Sequence, residues 1–321
     1  MLERRHLLRA GTLAAGASLL DRARAWARTQ PFEPEHGASL RLLRWSRFLE
    51  AEEHATNENI RAFTQATGVE VHVDSVWQDD LHPQLSVAAS IGKGPDVAWT
   101  LLMTPQLLAH RLVDVGDVAH HIGHVSGGWY PLAQQYCMHN GRWIALAPFM
   151  VGVLPVYRIS ALREAGFESF PTDADGFLRL CREMNRIEKP AGFAFSRSPG
   201  DGNSFCHWLL WSQGGKLVDE ANKVAINSPE TLRALDYARE LAPHLAPGSL
   251  IWNDASNNSA FLAGQIYLTN NSRSIYGTAQ AERMAMAEDI DHAPWPIGPV
   301  GRPSELHIVY PFIIMRYTRY P

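Results

Sequence analysis

The segment from residue 39 to residue 100 constrains the fold most strongly, because strands and helices alternate along it. The stretch "SLRLLRW" (39–45) is apolar, and "VEVHVDSVW" (69–77) alternates apolar and polar side chains, as half-buried strands do. Apolar side chains at helical spacing follow each of these two stretches. The turn "GKGPDVAWT" (92–100) then leads into a third strand. This order of elements predicts an α/β domain on a parallel sheet.

A second set of elements follows a nearly continuous apolar stretch, "RWIALAPFMVGVLPVYRI" (142–159). We interpret this stretch as the crossing between two lobes, because 321 residues are enough for two domains. The boundaries that we predict give the first α/β lobe residues 38–150 with about 255–305. The second α/β lobe takes residues 151–254 with 306–321.

The N-terminus has the pattern of an export signal. Arg4 and Arg5 form a positive head, residues 10–20 are an uncharged run of low hydrophobicity, and residues 25–27 ("AWA") fit a cleavage site. The run is too short to span a bilayer of roughly 30 Å, and the adjacent arginines resemble a twin-arginine signal. The alternative is a surface helix. The export interpretation, with residues 1–27 as the signal peptide, predicts a periplasmic protein that begins near Arg28.

Charge and tryptophan content narrow the class of partner. The chain has 29 basic and 33 acidic side chains, and five arginines but only two acidic residues lie within the predicted signal. The remainder is therefore clearly acidic, which argues against a nucleic-acid partner. Three scattered cysteines show neither metal nor redox spacing. Nine of the ten tryptophans follow the signal, and flat rings in such number favour a binding surface.

Five segments follow one another in a characteristic order: "GKGPDVAWT", "GRWIALAPFMVGVLPVYRISALREAG", "WSQGGKLVDEANKVAINSPETLRALDYARELA", "AFLAGQIYLTNN" and "APWPIGPVG". In this order they resemble the extracellular solute-binding proteins of sugar-type ABC importers, the maltose-binding-like group. The resemblance extends from about residue 40 to the end. It implies two lobes joined by hinge strands, a sugar or oligosaccharide held between them, and a membrane permease as the partner. It also implies a monomer without a cofactor that makes and breaks no bond.

The carboxyl end departs from the pattern that this resemblance implies. In the family, further helices follow the strand that corresponds to "HIVYPFIIM" (307–315), whereas the sequence stops at Pro321. We therefore expect an incomplete second lobe. The apolar side chains of residues 307–315 and of the helix at 173–187 are expected to face water in part.

Seven side chains are candidates for contacts to the ligand. Three are tryptophans at the ends of predicted strands, where open α/β sheets bind ligands. Two further aromatic residues are assigned to the second half of the cleft, and two amides at the end of another strand suit hydroxyl groups. The alternatives are core positions for the rings and a turn for the amides. The candidates are Trp45, Trp77, Trp99, Phe149, Trp208, Asn270 and Asn271.

Two other classes of function stay open at this point. A binding protein for a cation, such as a polyamine or a metal, would need carboxylates in the cleft, and Asp79, Asp80 and Asp96 are the candidates. A secreted glycoside hydrolase would need two carboxylates across a cleft. The sequence has no nucleophile elbow, P-loop or dinucleotide-binding glycine pattern, so an enzyme is not expected.

The histidines of "HHIGH" raise the question of a zinc site. His120 and His124 are one helical turn apart and His121 is adjacent, which is a spacing that zinc can use. Gly123 weakens the helix, however, and the glutamate of the metalloprotease pattern is missing. We therefore predict a solvated surface and no metal site.

Overall fold

The computed structural model describes residues 34–35, 37–47, 50–195 and 199–321, so the predicted signal peptide lies outside the described residues. The strands are β1 (Ser39–Trp45), β2 (Glu70–Val76), β3 (Val97–Trp99), β4 (Met138–His139), β5 (Arg142–Trp143), β6 (Met150–Gly152), β7 (Leu154–Arg158), β8 (Leu268–Asn271), β9 (Ile290–His292), β10 (His307–Val309) and β11 (Phe312–Ile314). The helices are α1 (Glu50–Thr67), α2 (Gln78–Ile91), α3 (Thr104–Leu108), α4 (Gly116–Ser126), α5 (Pro131–Cys137), α6 (Ile159–Glu164), α7 (Ala174–Arg186), α8 (Asp201–Ser212), α9 (Pro229–Leu241), α10 (Ser256–Leu262) and α11 (Ser274–Ala281).

The first lobe is built on a four-stranded sheet in the order β11–β3–β1–β2. Strand β1 runs parallel to β2 and to β3, which confirms the parallel sheet predicted from residues 39–100. Helix α2 packs on this sheet with Leu81, Leu85 and Ala88, whose spacing places them on one helical face. It ends at Gly92, which takes the left-handed conformation (φ +67°) that glycine adopts without steric cost.

The second lobe is built on a separate sheet in the order β8–β7–β9, in which both pairs are antiparallel. Helix α7 begins after Asp173, whose carboxylate accepts the backbone N–H of Gly176 at 2.8 Å. The helix buries Phe177, Leu180 and Met184 completely, so its apolar stripe is covered by the rest of the lobe.

Two extended segments connect the lobes. Strand β6 pairs antiparallel with β10, with Val151 opposite Ile308, in a sheet of its own. The chain therefore passes from the first lobe to the second along β6 and returns along β10. Residues 142–159 thus run from the core of the first lobe to β7 of the second, and β6 and β10 lie side by side between the two larger sheets.

The predicted lobe boundaries are wrong after residue 254. Strand β8 pairs with β7, so residues 268–271 belong to the second lobe and not to the first. Strand β11 pairs with β3, with Ile313 opposite Ala98, so residues 312–314 belong to the first lobe. The prediction placed the return to the first lobe near residue 255, before the segment "YLTNN". The return crossing is instead β10, which pairs with β6 and lies about forty residues after that segment.

The expected exposure of residues 307–315 and of the helix at 173–187 is also wrong. Val309, Ile313 and Met315 are fully buried in the core of the first lobe, because β11 extends its sheet beyond β3. The stripe of α7 is likewise covered, as Phe177 and Leu180 show. Neither segment leaves the apolar surface that the sequence led us to expect.

Candidate functional site

Five aromatic residues meet where β1, β3 and the crossing segments come together. Trp99 lies at their centre: its ring is 4.5 Å from that of Trp45, 5.5 Å from that of Phe149, and stacked at 4.8 Å on Phe312. Its indole N–H donates to the carbonyl oxygen of Tyr310 at 3.3 Å. We call Trp45, Trp99, Phe149, Tyr310 and Phe312 the aromatic cluster.

The members of the aromatic cluster differ in how far they reach the surface. Trp45 is only 4% exposed and belongs to the core of the first lobe, so it packs against the other rings from the core side. Trp99 and Tyr310 are half-buried, and Phe149 is 41% exposed. The face open to a ligand is therefore formed mainly by Phe149 and by the uncovered part of Trp99.

Arg44, on the same strand as Trp45, packs against the rings of Trp45 and Trp99. Its guanidinium group lies 5.5 Å from the ring centroids of both Trp45 and Trp99, which is within the range of cation–π attraction. The side chain is buried, forms an ion pair with Glu52, and donates from Nε to the carbonyl oxygen of Trp45 at 3.2 Å. Arg44 was not predicted as a site residue, and it packs against two rings of the aromatic cluster.

A polar cluster lies at the start of α8 in the second lobe. The carboxylate of Asp254 accepts the backbone N–H groups of Gly200 at 2.9 Å, Asp201 at 2.7 Å and Gly202 at 3.4 Å. These are donors that the first turn of a helix leaves without partners. Asp254 therefore fixes the N-terminus of α8 and brings a negative charge to it.

Three asparagine side chains of this polar cluster donate hydrogen bonds to Asp201. Its Oδ2 atom accepts from the amide groups of Asn257 at 2.9 Å and Asn271 at 3.2 Å, and its backbone carbonyl accepts from Asn270 at 2.8 Å. Burial and the charge of Asp254 raise the pKa of Asp201 well above its ordinary value, and the two amide hydrogen bonds only partly oppose this. We call Asp201, Asp254, Asn257, Asn270 and Asn271 the amide–carboxyl cluster.

The carboxylates of the amide–carboxyl cluster raise the pKa of two side chains of the first lobe. Burial, and then the charges of Asp201 and Asp254, raise the pKa of Tyr310. Burial, and then the charges of Asp254 and Asp80, raise the pKa of Asp79, at the start of α2 in the first lobe. Because charge interactions fall off with distance, these effects indicate that the carboxylates of the second lobe lie close to first-lobe side chains.

The structure brings together three of the seven predicted contact residues, namely Trp45, Trp99 and Phe149. Phe149 was assigned to the second half of the cleft, but it packs on Trp99 of the first lobe. Trp77 is 64% exposed at the start of α2, and among the described residues it makes no ring contact with the aromatic cluster.

Trp208 lies in the core of the second lobe and does not line the cleft. It is fully buried and stacked at 4.8 Å on Trp295, and its indole N–H donates to the carbonyl oxygen of Pro296 at 2.9 Å. Asn270 and Asn271 are buried as well, with their amide hydrogens bound inside the amide–carboxyl cluster. These two residues therefore shape the site from within rather than at its surface.

The remaining polar candidates lie elsewhere. The carboxylate of Asp96 accepts the backbone N–H of Arg41 at 2.9 Å and the hydroxyl of Thr318 at 2.7 Å, at the end of the sheet opposite the aromatic cluster. The three histidines at 120, 121 and 124 lie on α4. In the described ranges, no three His, Cys, Asp or Glu side chains are grouped to hold a metal ion. No helix within those ranges is long and apolar enough to cross a membrane.

Two cavities open in the second lobe near the segment that leads into β10. One, of about 380 Å³, is lined by Trp211, Lys216 and Arg302 among others. The other, of about 190 Å³, is lined by Phe170, Trp295 and three prolines among others. Neither cavity is lined by a member of the aromatic cluster or of the amide–carboxyl cluster.

Comparison with known proteins finds proteins of ABC transporters that are similar to this chain. A probable ABC transporter-binding protein of Deinococcus radiodurans is 22% identical over 236 residues, which are 70% of this chain and 54% of the relative. The chain thus spans about half the length of that curated relative. Maltose-bound MalE3 of T. maritima is 21% identical, with a TM-score of 0.80 over 88% of this chain and 73% of the other.

Two further solved structures share the fold. A solute-binding protein of Thermotoga lettingae with bound alpha-D-tagatose is 18% identical, with a TM-score of 0.76 over 88% of this chain and 74% of the other. One from Agrobacterium radiobacter in complex with ribitol is 18% identical, with a TM-score of 0.76 over 89% and 73%. The family model of the bacterial extracellular solute-binding proteins matches residues 58–315. Because that match covers most of the sequence, the chain belongs to the family of bacterial extracellular solute-binding proteins.

Proposed function

We propose that the protein captures a sugar or oligosaccharide between its lobes and delivers it to the membrane permease of an ABC importer. The observation that carries this proposal is the aromatic cluster of the first lobe, in which Phe149 is partly exposed and Trp99 is half-buried. An aromatic face packs against the C–H face of a sugar ring, and amides and carboxyls bind hydroxyl groups. A mostly apolar site with a few fixed polar groups is what a small-ligand cleft requires.

The neighbours in fold support a carbohydrate as the solute. Their structures contain maltose, alpha-D-tagatose and ribitol, which are all rich in hydroxyl groups. The paired strands β6 and β10 give the lobes a hinge, and closure about it would hide the solute from water. In this proposal the protein acts without a chemical step, as a monomer in the periplasm, after export by the twin-arginine route that Arg4 and Arg5 favour.

A titration with neutral saccharides tests the proposal. Maltose, laminaribiose and ribitol are added to the protein while tryptophan fluorescence and the melting temperature are recorded. We expect a saturable change of fluorescence, because Trp99 is half-buried in the site, and a stabilisation of about 2.7 kcal/mol at a hundred times Kd. A flat response to a wide panel of saccharides and polyols would contradict a sugar-binding role. Hydrolysis of an added oligosaccharide would instead indicate a secreted glycosidase.

A further inference from the structure

Glu52 carries a carboxylate at the edge of the first-lobe sheet where the aromatic cluster lies. It belongs to the first turn of α1, the helix that follows β1. Trp99 is the last residue of β3, which runs parallel to β1. The start of α1 and the ring of Trp99 are therefore both at the carboxyl ends of parallel strands, which is where open α/β sheets bind ligands.

Arg44 connects Glu52 to the rings of the aromatic cluster. Its guanidinium group lies 5.5 Å from the ring centroid of Trp99 and donates from Nη2 to Oε1 of Glu52. The side chain of Arg44 is only 4% exposed, so this ion pair lies against the rings and away from bulk water. Because the buried guanidinium group holds one carboxylate oxygen, Glu52 is fixed close to the aromatic cluster.

Glu52 keeps its other carboxylate oxygen for a ligand. Within the described part of the chain, no group donates a hydrogen bond to Oε2, and 27% of the side chain is exposed. A carboxylate accepts the hydrogen of a hydroxyl group, and such a charge-assisted hydrogen bond is stronger than a neutral one. Glu52 therefore offers a fixed acceptor beside rings that suit the C–H face of a sugar.

The charges at this point favour a neutral ligand. Arg44 and Glu52 together add no net charge, and the guanidinium group is too deeply buried to meet a second anion. The neighbouring Arg47 is also paired, with Glu53. A carboxylate on the ligand would therefore face Oε2 of Glu52 without a cation of its own, whereas a hydroxyl group would meet an acceptor.

We propose that Glu52 is a specificity-determining residue of the site, whose Oε2 atom accepts a hydroxyl hydrogen of a neutral sugar that packs on Phe149. This inference rests on the proposed function and names the class of sugar, one with that hydroxyl group unsubstituted and without a carboxylate. The competing role for Glu52 is that of a partner to Arg44 alone, and the two roles differ in how single hydroxyl groups of the sugar contribute.

Calorimetric titration of Glu52→Gln tests this inference, with glucose, maltose and their monodeoxy analogues as the probes. Glutamine keeps an oxygen for Arg44 but loses the charge. We expect the variant to bind the parent sugars about tenfold more weakly, the scale of one hydrogen bond to a charged group. In the wild type, removal of one particular hydroxyl group should cost a similar factor. In Glu52→Gln the cost at that position should shrink to less than about threefold.

Glu53→Gln is the matched control, since Glu53 is the adjacent residue on α1 and pairs with the exposed Arg47. It should bind as the wild type does, and an equal loss in this variant would overturn the assignment to Glu52. A loss in Glu52→Gln that is the same for the parent sugars and every deoxy analogue would also overturn it, because only a structural role acts so evenly.

Two further outcomes separate this inference from the proposed function. Wild-type affinity in Glu52→Gln, or binding of glucuronic acid as tight as that of glucose, would overturn the inference and leave the proposed function standing. Failure of the wild type to bind any saccharide would overturn both.

Discussion

Replacing Trp208 by alanine is expected to lower the free energy of unfolding of the second lobe by about 3–5 kcal/mol. The ring is fully buried, is stacked on Trp295, and contacts Phe177 edge-on at 5.1 Å. Truncation would leave a cavity and remove the donor to the carbonyl of Pro296. Urea denaturation followed by circular dichroism measures the loss. The expected loss is a large part of the stability of an ordinary domain, about 5–15 kcal/mol.

Trp211→Ala is the matched control for this variant. Trp211 lies one turn further along α8, is half-buried, and packs against His207. Trp211→Ala should lower the free energy of unfolding clearly less than Trp208→Ala does, because less of the Trp211 ring is removed from water. Equal losses in the two variants would contradict the assignment of Trp208 to the core.

Replacing Trp99 by alanine is expected to weaken sugar binding by about 1–3 kcal/mol, since it removes the central ring of the aromatic cluster. Trp99→Phe should keep much of the affinity because it retains a flat face. Calorimetric titration measures both variants. Some loss of stability is also expected, because Trp99 stacks on Phe312.

The control for the loss of a half-buried tryptophan is Trp129→Ala. Trp129 packs on Trp143 in the same lobe and donates to the carbonyl of Ala119, away from the aromatic cluster. This variant should bind sugar as the wild type does. If the affinity of Trp99→Ala equals that of the wild type, the aromatic cluster is structural and is not a ligand surface.

Local sequence pattern was enough to predict the three parallel strands of the first lobe, β1, β2 and β3. The apolar run at 39–45 predicted a strand, and β1 lies there. The alternation of apolar and polar residues in 69–77 predicted another, and β2 lies there. The partners of β8 and β11 could not be predicted in this way. Both strands are short, and β8 (LTNN) is mostly polar. Their sheet is decided by contacts with β7 and β3, which are distant in sequence.

Only part of the candidate site was predictable, because the rest of it depends on contacts between residues that are distant in sequence. Tryptophans at strand ends identified Trp45 and Trp99, but a buried ring such as Trp208 carries the same sequence signal. Tyr310 was missed because its segment was assigned to the wrong lobe. Asp201 and Asp254 were missed because their role arises only when the start of α8 meets a loop more than fifty residues later.

Hydrogen exchange with and without a saturating sugar tests most directly whether the solute is held between the lobes. We predict that the sugar slows amide exchange on both sides of the cleft. The slowed amides should lie around Trp99 and Tyr310 of the aromatic cluster, and around Asp201 and Asn271 in the second lobe. The exposed helix α4 should be unaffected and serves as the internal reference. Slowing confined to one lobe, or slowing that spares both clusters, would contradict a binding site formed by the two lobes together.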